Sequence, residues 1–134
     1  MRAGRVVANL VGAVLFVQVI LGGSSVVLGV PILYHLVWGI ATFGVLIAAT
    51  VLGLRSYGSK SNLFRVGAAS IVIFVIQGIL GLISFGSSVA IVVHLTNAFV
   101  LAVVVTYMIS FADSLDKSPA PRAPTAQPTG ATGP

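Results

Sequence analysis

The sequence contains no cysteine and no glutamate, and its only acids are Asp113 and Asp116. Without cysteine there is no disulfide framework, no thiol nucleophile and no thiolate-ligated metal. Charge of either sign is scarce: 7% of residues are charged, against about a quarter in soluble domains. Nine charged side chains in 134 residues cannot clothe a water-soluble surface. What is present is hydrocarbon, with 57% hydrophobic residues and a mean hydropathy of +1.13. The net charge of +5 forms no single patch, because the cations bracket hydrophobic runs. Nucleic acid is therefore not an expected partner, and the lipid bilayer is.

Crossing a hydrocarbon core of about 30 Å takes roughly 20 residues in a helix. Four runs meet that length, at about Val6 to Leu28, Pro31 to Leu54, Phe64 to Phe85 and Val89 to Phe111. Two links are short and uncharged: Gly29-Val30-Pro31, with Pro31 suited to a first helical position, and Gly86-Ser87-Ser88. Arg2 and Arg5 precede the first span, Arg55, Lys60 and Arg65 flank the central loop, and Lys117 and Arg122 follow the last. All seven cations thus fall on one side, which the positive-inside rule makes cytoplasmic. The expected protein is a multi-pass cell-membrane protein with both termini inside. A cleavable signal peptide is the competing reading of the N-terminus, but its first apolar run is longer than a signal h-region.

The expected fold is an all-α, four-helix up-down bundle over residues 1–112. The stretch 113–134 has almost no apolar bulk to bury and reads as a disordered cytoplasmic tail rich in Pro, Ala and Thr. Ser56 to Asn62 reads as a solvated connector, with Ser61 or Asn62 available to cap the third helix.

Aligned with itself at an offset of 59 residues, the chain places Gln18 on Gln77, Gly22 on Gly81, Ser25 on Ser84 and His35 on His94. Each copy reads Gln-x-Ile-Leu-Gly-x-x-Ser, nine residues, then His-Leu, so the chain is two copies of a helical hairpin, about 5–54 and 64–111. The only two histidines are equivalent residues. Both hairpins start inside, cross out and return, which puts equivalent residues at equal depth. Each histidine is about five residues into its returning helix, about 7 Å below the outer end.

In an up-down bundle the second and fourth helices are diagonal and run in the same direction, so His35 and His94 can face each other across the core. Two neutral imidazoles with no acidic neighbour suit the axial positions of a heme iron, with apolar walls around the macrocycle. Gly22 and Gly81 leave room either for that ring or for close helix packing, and Gln18, Gln77, Ser25 and Ser84 offer hydrogen bonds to second partners or between helices. The alternative is that each histidine only bonds across helices. Tyr34 and Trp38 read as interfacial anchors.

Gln18-Val19-Ile20-Leu21-Gly22-Gly23 with His35-Leu36, and Gln77-Gly78-Ile79-Leu80-Gly81 with His94-Leu95, resemble the helix-pair signature of the heme A synthases over about residues 5 to 110. Typical members have eight transmembrane helices in two four-helix halves, and this chain resembles one half. The resemblance implies that His35 and His94 are axial ligands of heme iron and that the helices around Gly22 and Gly81 form the porphyrin pocket. It implies heme b, heme O or heme A as bound groups, and oxidation of the heme O methyl to the formyl of heme A for terminal oxidase biogenesis. That reaction needs two hemes, and one histidine pair holds one, so a homo-oligomer or a partner subunit is expected. Typical members also carry an outer carboxylate in the first half, and this sequence has no acid there. Two further readings stand beside it: a bis-histidine b-type cytochrome that passes electrons to a partner, and a heme-free accessory or oxidase-assembly subunit.

Overall fold

The computed structural model describes residues 3–117, and the account below is of those residues. In a hydrocarbon solvent every main-chain N–H and C=O must be satisfied within the chain, and the helix does this locally whatever the side chains. The Val- and Ile-rich runs accordingly form four helices: α1 (Ala3–Val27), α2 (Ile32–Tyr57), α3 (Asn62–Ile83) and α4 (Ser88–Lys117). A 3₁₀ turn, Ser84–Gly86, precedes α4. At 1.5 Å per residue the shortest helix, with 22 residues, spans about 33 Å, enough for a bilayer core. The fold is an all-α membrane bundle of four long apolar helices.

Each helix packs on its chain neighbours and α4 returns to α1, which closes a ring; the backbones of the diagonal pairs, α1 with α3 and α2 with α4, stay more than 8 Å apart at every Cα. With antiparallel neighbours, Arg5, Arg55, Lys60, Arg65 and Lys117 all stand where α1 begins and α4 ends, the basic end. The two short links and both histidines mark the other, the histidine end.

The turns follow local chemistry. Gly29 takes φ +68° and Gly58 φ +78°, a left-handed backbone that side chains with a Cβ resist. Pro31 stands one residue earlier than expected, at the N-cap of α2 with ψ 125°, and α2 starts at Ile32. Ser61 caps α3 as expected, accepting from the Phe64 N–H at 3.2 Å. The expected tail begins too early at Asp113. Helix α4 runs on to Lys117 because Met108 and Ala112 are still buried against the bundle and Asp113 pairs with Arg5 (3.4 Å) and with Lys117 one turn on. Residues 118–134 of that tail lie outside the described residues.

The packed core fills only one half of the bundle. Buried side chains recur at helical spacing as Ala8, Val11 and Leu15 on α1, Thr42, Leu46, Ala49 and Thr50 on α2, Leu63 and Ser70 on α3, and Leu101, Val105, Met108 and Ala112 on α4. All lie toward the basic end. Beyond Leu15 and Ser70, and before Thr42 and Leu101, no described residue is fully buried. Large apolar side chains such as Phe16, Ile40, Leu82 and Phe99 are exposed on the outside, as a lipid-facing surface requires.

Candidate functional site

His35 is the fourth residue of α2 and His94 the seventh of α4, because the second link tightens into a 3₁₀ turn and α4 starts earlier in its repeat. The expected equal depth of five residues is therefore not kept relative to the helix starts. It is kept relative to the partner helix, since each histidine meets the glutamine of its own hairpin. His35 Nδ1 lies 3.0 Å from the Gln18 main-chain carbonyl, and His94 Nδ1 lies 3.1 Å from that of Gln77. A carbonyl oxygen can only accept, so each Nδ1 carries the proton and each Nε2 carries the lone pair. The side-chain amides then donate to those lone pairs, Gln18 Nε2 at 3.3 Å and Gln77 Nε2 at 3.1 Å.

Although the backbones of α2 and α4 stay apart, the two imidazoles reach across the diagonal to a centroid separation of 6.5 Å, with planes at 72°. Both rings are half-buried. The glycines make this reach possible in a way the sequence did not reveal. A Cβ on Gly22 would stand 2.8 Å from His35 Cε1, and one on Gly81 would stand 3.2 Å from His94 Cε1. The room they leave is occupied by the imidazole of the same hairpin, so their first role is to seat the histidines.

Other expected site residues fall elsewhere. Ser25 and Ser84 donate to carbonyls of their own helices, Leu21 at 2.9 Å and Gly81 at 2.7 Å, and so offer nothing to the histidines. Trp38 is no simple interfacial anchor: its Nε1–H donates to the Val14 carbonyl across α1 and α2 at 2.9 Å. Tyr34 is exposed.

The residue that sequence reasoning missed is Asn97, which stands at the repeat position of Trp38. Its Nδ2 donates to the Ile73 carbonyl at 3.2 Å, repeating the Trp38 to Val14 bond, and also to Gln77 Oε1 at 2.7 Å. Trp38 has one N–H and cannot do both. Gln18 Oε1 is consequently buried without a partner. The signal was the break in the repeat itself, a polar side chain against an aromatic one at the same offset.

A first-row metal ion holds an imidazole nitrogen at about 2 Å, so two rings sharing one ion have centroids roughly 6 Å apart. The centroid separation here is of that size, although each Nε2 lone pair is taken by a glutamine amide that would have to move aside. The proton on each Nδ1 leaves Nε2 as the nitrogen able to ligate a metal, and the carbonyl behind it is the kind of partner that fixes the tautomer of metal-bound histidine. The donor set is two neutral imidazoles and nothing else: no cluster of three or more His, Cys, Asp or Glu occurs among the described residues. Such a set fits an iron whose other ligands come from a macrocycle, and it does not fit a bare structural metal ion. Compared with protein-family models, with curated proteins and with solved structures, the chain matches none.

Proposed function

We propose that this chain is a heme-binding oxidoreductase of the cell membrane, of the heme A synthase type, with His35 and His94 as axial ligands. The observation that carries the heme site is the pair of imidazoles in edge contact, with centroids 6.5 Å apart, each with Nδ1–H donated to a main-chain carbonyl. A heme held there would supply a one-electron redox centre. The protein's own part is positional. The Gln18 and Gln77 carbonyls set the tautomer and orientation of the rings, and Gly22 and Gly81 let them approach their neighbours. The helices lack a packed core at that end, which suits a flat apolar group between them. The positive-inside rule puts the basic end, and with it both termini, in the cytoplasm and the histidines toward the outer face.

The reaction rests on the resemblance to the heme A synthases: oxidation of the heme O methyl to the formyl of heme A. Two hemes take part in it and one chain offers one histidine pair, so the chain acts as a homo-oligomer or with a partner subunit. A second reading is an electron-transfer b-type cytochrome. It is favoured by the absence of any Asp or Glu at the histidine end among the described residues, since Asp113 is held at the basic end by Arg5 and Lys117.

The test is an absorption spectrum of the detergent-purified protein, oxidised and reduced, followed by acid extraction and chromatography of its heme. Heme O or heme A in the extract is the expected result. Heme B alone would replace the synthase with the cytochrome, and a colourless protein that resists reconstitution would leave both histidines as helix-bridging residues.

A further inference from the structure

The two imidazoles are held by the same pair of bonds and released by different ones. For Nε2 of either histidine to bind iron, the glutamine amide that donates to it must swing away. In the second hairpin that amide is clamped, because Gln77 Oε1 accepts from Asn97 at 2.7 Å and Asn97 is itself tied to the Ile73 carbonyl. In the first hairpin the same oxygen, Gln18 Oε1, is buried with no partner, and Trp38 has no second N–H to give it. Flipping Gln18 is no remedy: it would turn the oxygen toward the Nε2 lone pair, whose tautomer the Gln18 carbonyl fixes.

We infer that His94 is the exchangeable axial ligand and His35 the permanent one, with Asn97 as the residue that positions Gln77 to compete for His94. This rests on the heme site proposed above. Ligation by His35 displaces an amide that gives up no bond on its oxygen side and relieves an unsatisfied buried acceptor. Ligation by His94 displaces an amide that must also break its bond to Asn97. One net hydrogen bond corresponds to about a 2- to 10-fold difference in equilibrium. The heme face toward α4 is therefore the one that opens to a small ligand. Asn97 and Trp38 touch no iron in this scheme and act only through the glutamines.

The experiment uses full-length protein loaded with heme B in detergent and reduced with dithionite, and measures the affinity for carbon monoxide, which binds only when an imidazole leaves. Asn97→Val frees Gln77 and is expected to hold His94 more firmly, weakening carbon monoxide binding about 2- to 10-fold. A purely structural role for Asn97 predicts the opposite sign, since a loosened hairpin would shed its histidine more easily. Trp38→Asn supplies Gln18 with the clamp it lacks and is expected to strengthen carbon monoxide binding by a similar factor, which keeps the test decisive if the first variant folds poorly. Unchanged or strengthened binding in Asn97→Val, or unchanged or weakened binding in Trp38→Asn, overturns the inference while leaving the heme site standing. Failure of the heme site itself reads differently: the six-coordinate spectrum would persist in both His35→Ala and His94→Ala, and the inference would fall with it.

Discussion

The first hairpin turns at the histidine end through Gly29 at φ +68°, whereas the second turns through a 3₁₀ segment and Ser87, whose side chain accepts from the Ala90 N–H at 3.3 Å. The first places Trp38 beside its glutamine, and the second places Asn97 there. Despite these differences both hairpins make the same two histidine bonds, to the carbonyl and the amide of a glutamine 17 residues earlier. The unit held constant between the copies is the Gln-Gly-His contact within a hairpin; links and bracing differ around it. The seams between the hairpins tell the same story. Thr50 of α2 points at Gly67 of α3, and its repeat counterpart Ile109 of α4 points at Gly12 of α1. Each seam closes on a glycine, but on glycines one helical turn apart in the repeat.

The comparison breaks most completely if the two histidines are not both ligands. His35→Ala and His94→Ala are each expected to abolish the low-spin bis-histidine spectrum, because one imidazole cannot fill two axial positions. A spectrum retained by one variant alone would show that only the other histidine binds iron.

Next in size is the seam. A Cβ on Gly67 would stand 2.6 Å from Thr50 Oγ1 in the packed half of the bundle, where both residues are buried. Gly67→Ala is expected to cost about 1–3 kcal/mol of stability, the usual range for overpacking a core. Adding Thr50→Ala should recover most of it. Unfolding of the single and double variants in detergent measures both, and additive losses would show that the two side chains do not share this space.

The finest discrimination lies between the two histidine seats. Gly22→Ala places a methyl 2.8 Å from His35 Cε1 and 3.0 Å from Nδ1, so it forces the ring off the Gln18 carbonyl, while Gly81→Ala meets His94 at 3.2 Å and asks for a shift of a few tenths of an ångström. Gly22→Ala should be the more damaging by about 1 kcal/mol, with heme content falling in the same order. Heme titration of the pair checks this, and equal losses would mean that the seats are equivalent after all.

Much of this protein was legible because its solvent simplifies it. In lipid a long apolar run can hide its backbone only as a helix, so composition and length decided four helices. Short links decided that neighbours are antiparallel, and the repeat of Gln18, Gly22 and His35 in Gln77, Gly81 and His94 decided which residues are equivalent. The sequence also carried the Ser61 cap, a local interaction between residues three apart. It misplaced the end of α4, because the contacts along the last turns include burial of Met108 and Ala112 against the bundle and a pairing of Asp113 with Arg5, more than a hundred residues away in the chain. It could assign Gly22 and Gly81 only as sites of close approach, since what approaches them is set by how α1 meets α2 and α3 meets α4. The role of Asn97 was hidden for the same reason. A side chain's hydrogen-bonding capacity is written in its formula, but whether a second acceptor stands 2.7 Å away, as Gln77 Oε1 does, depends on the rotation of one helix against another. Helix, hairpin and repeat follow from the chain alone; the seat of each imidazole, and the difference between the two, follow only from the packing of the helices.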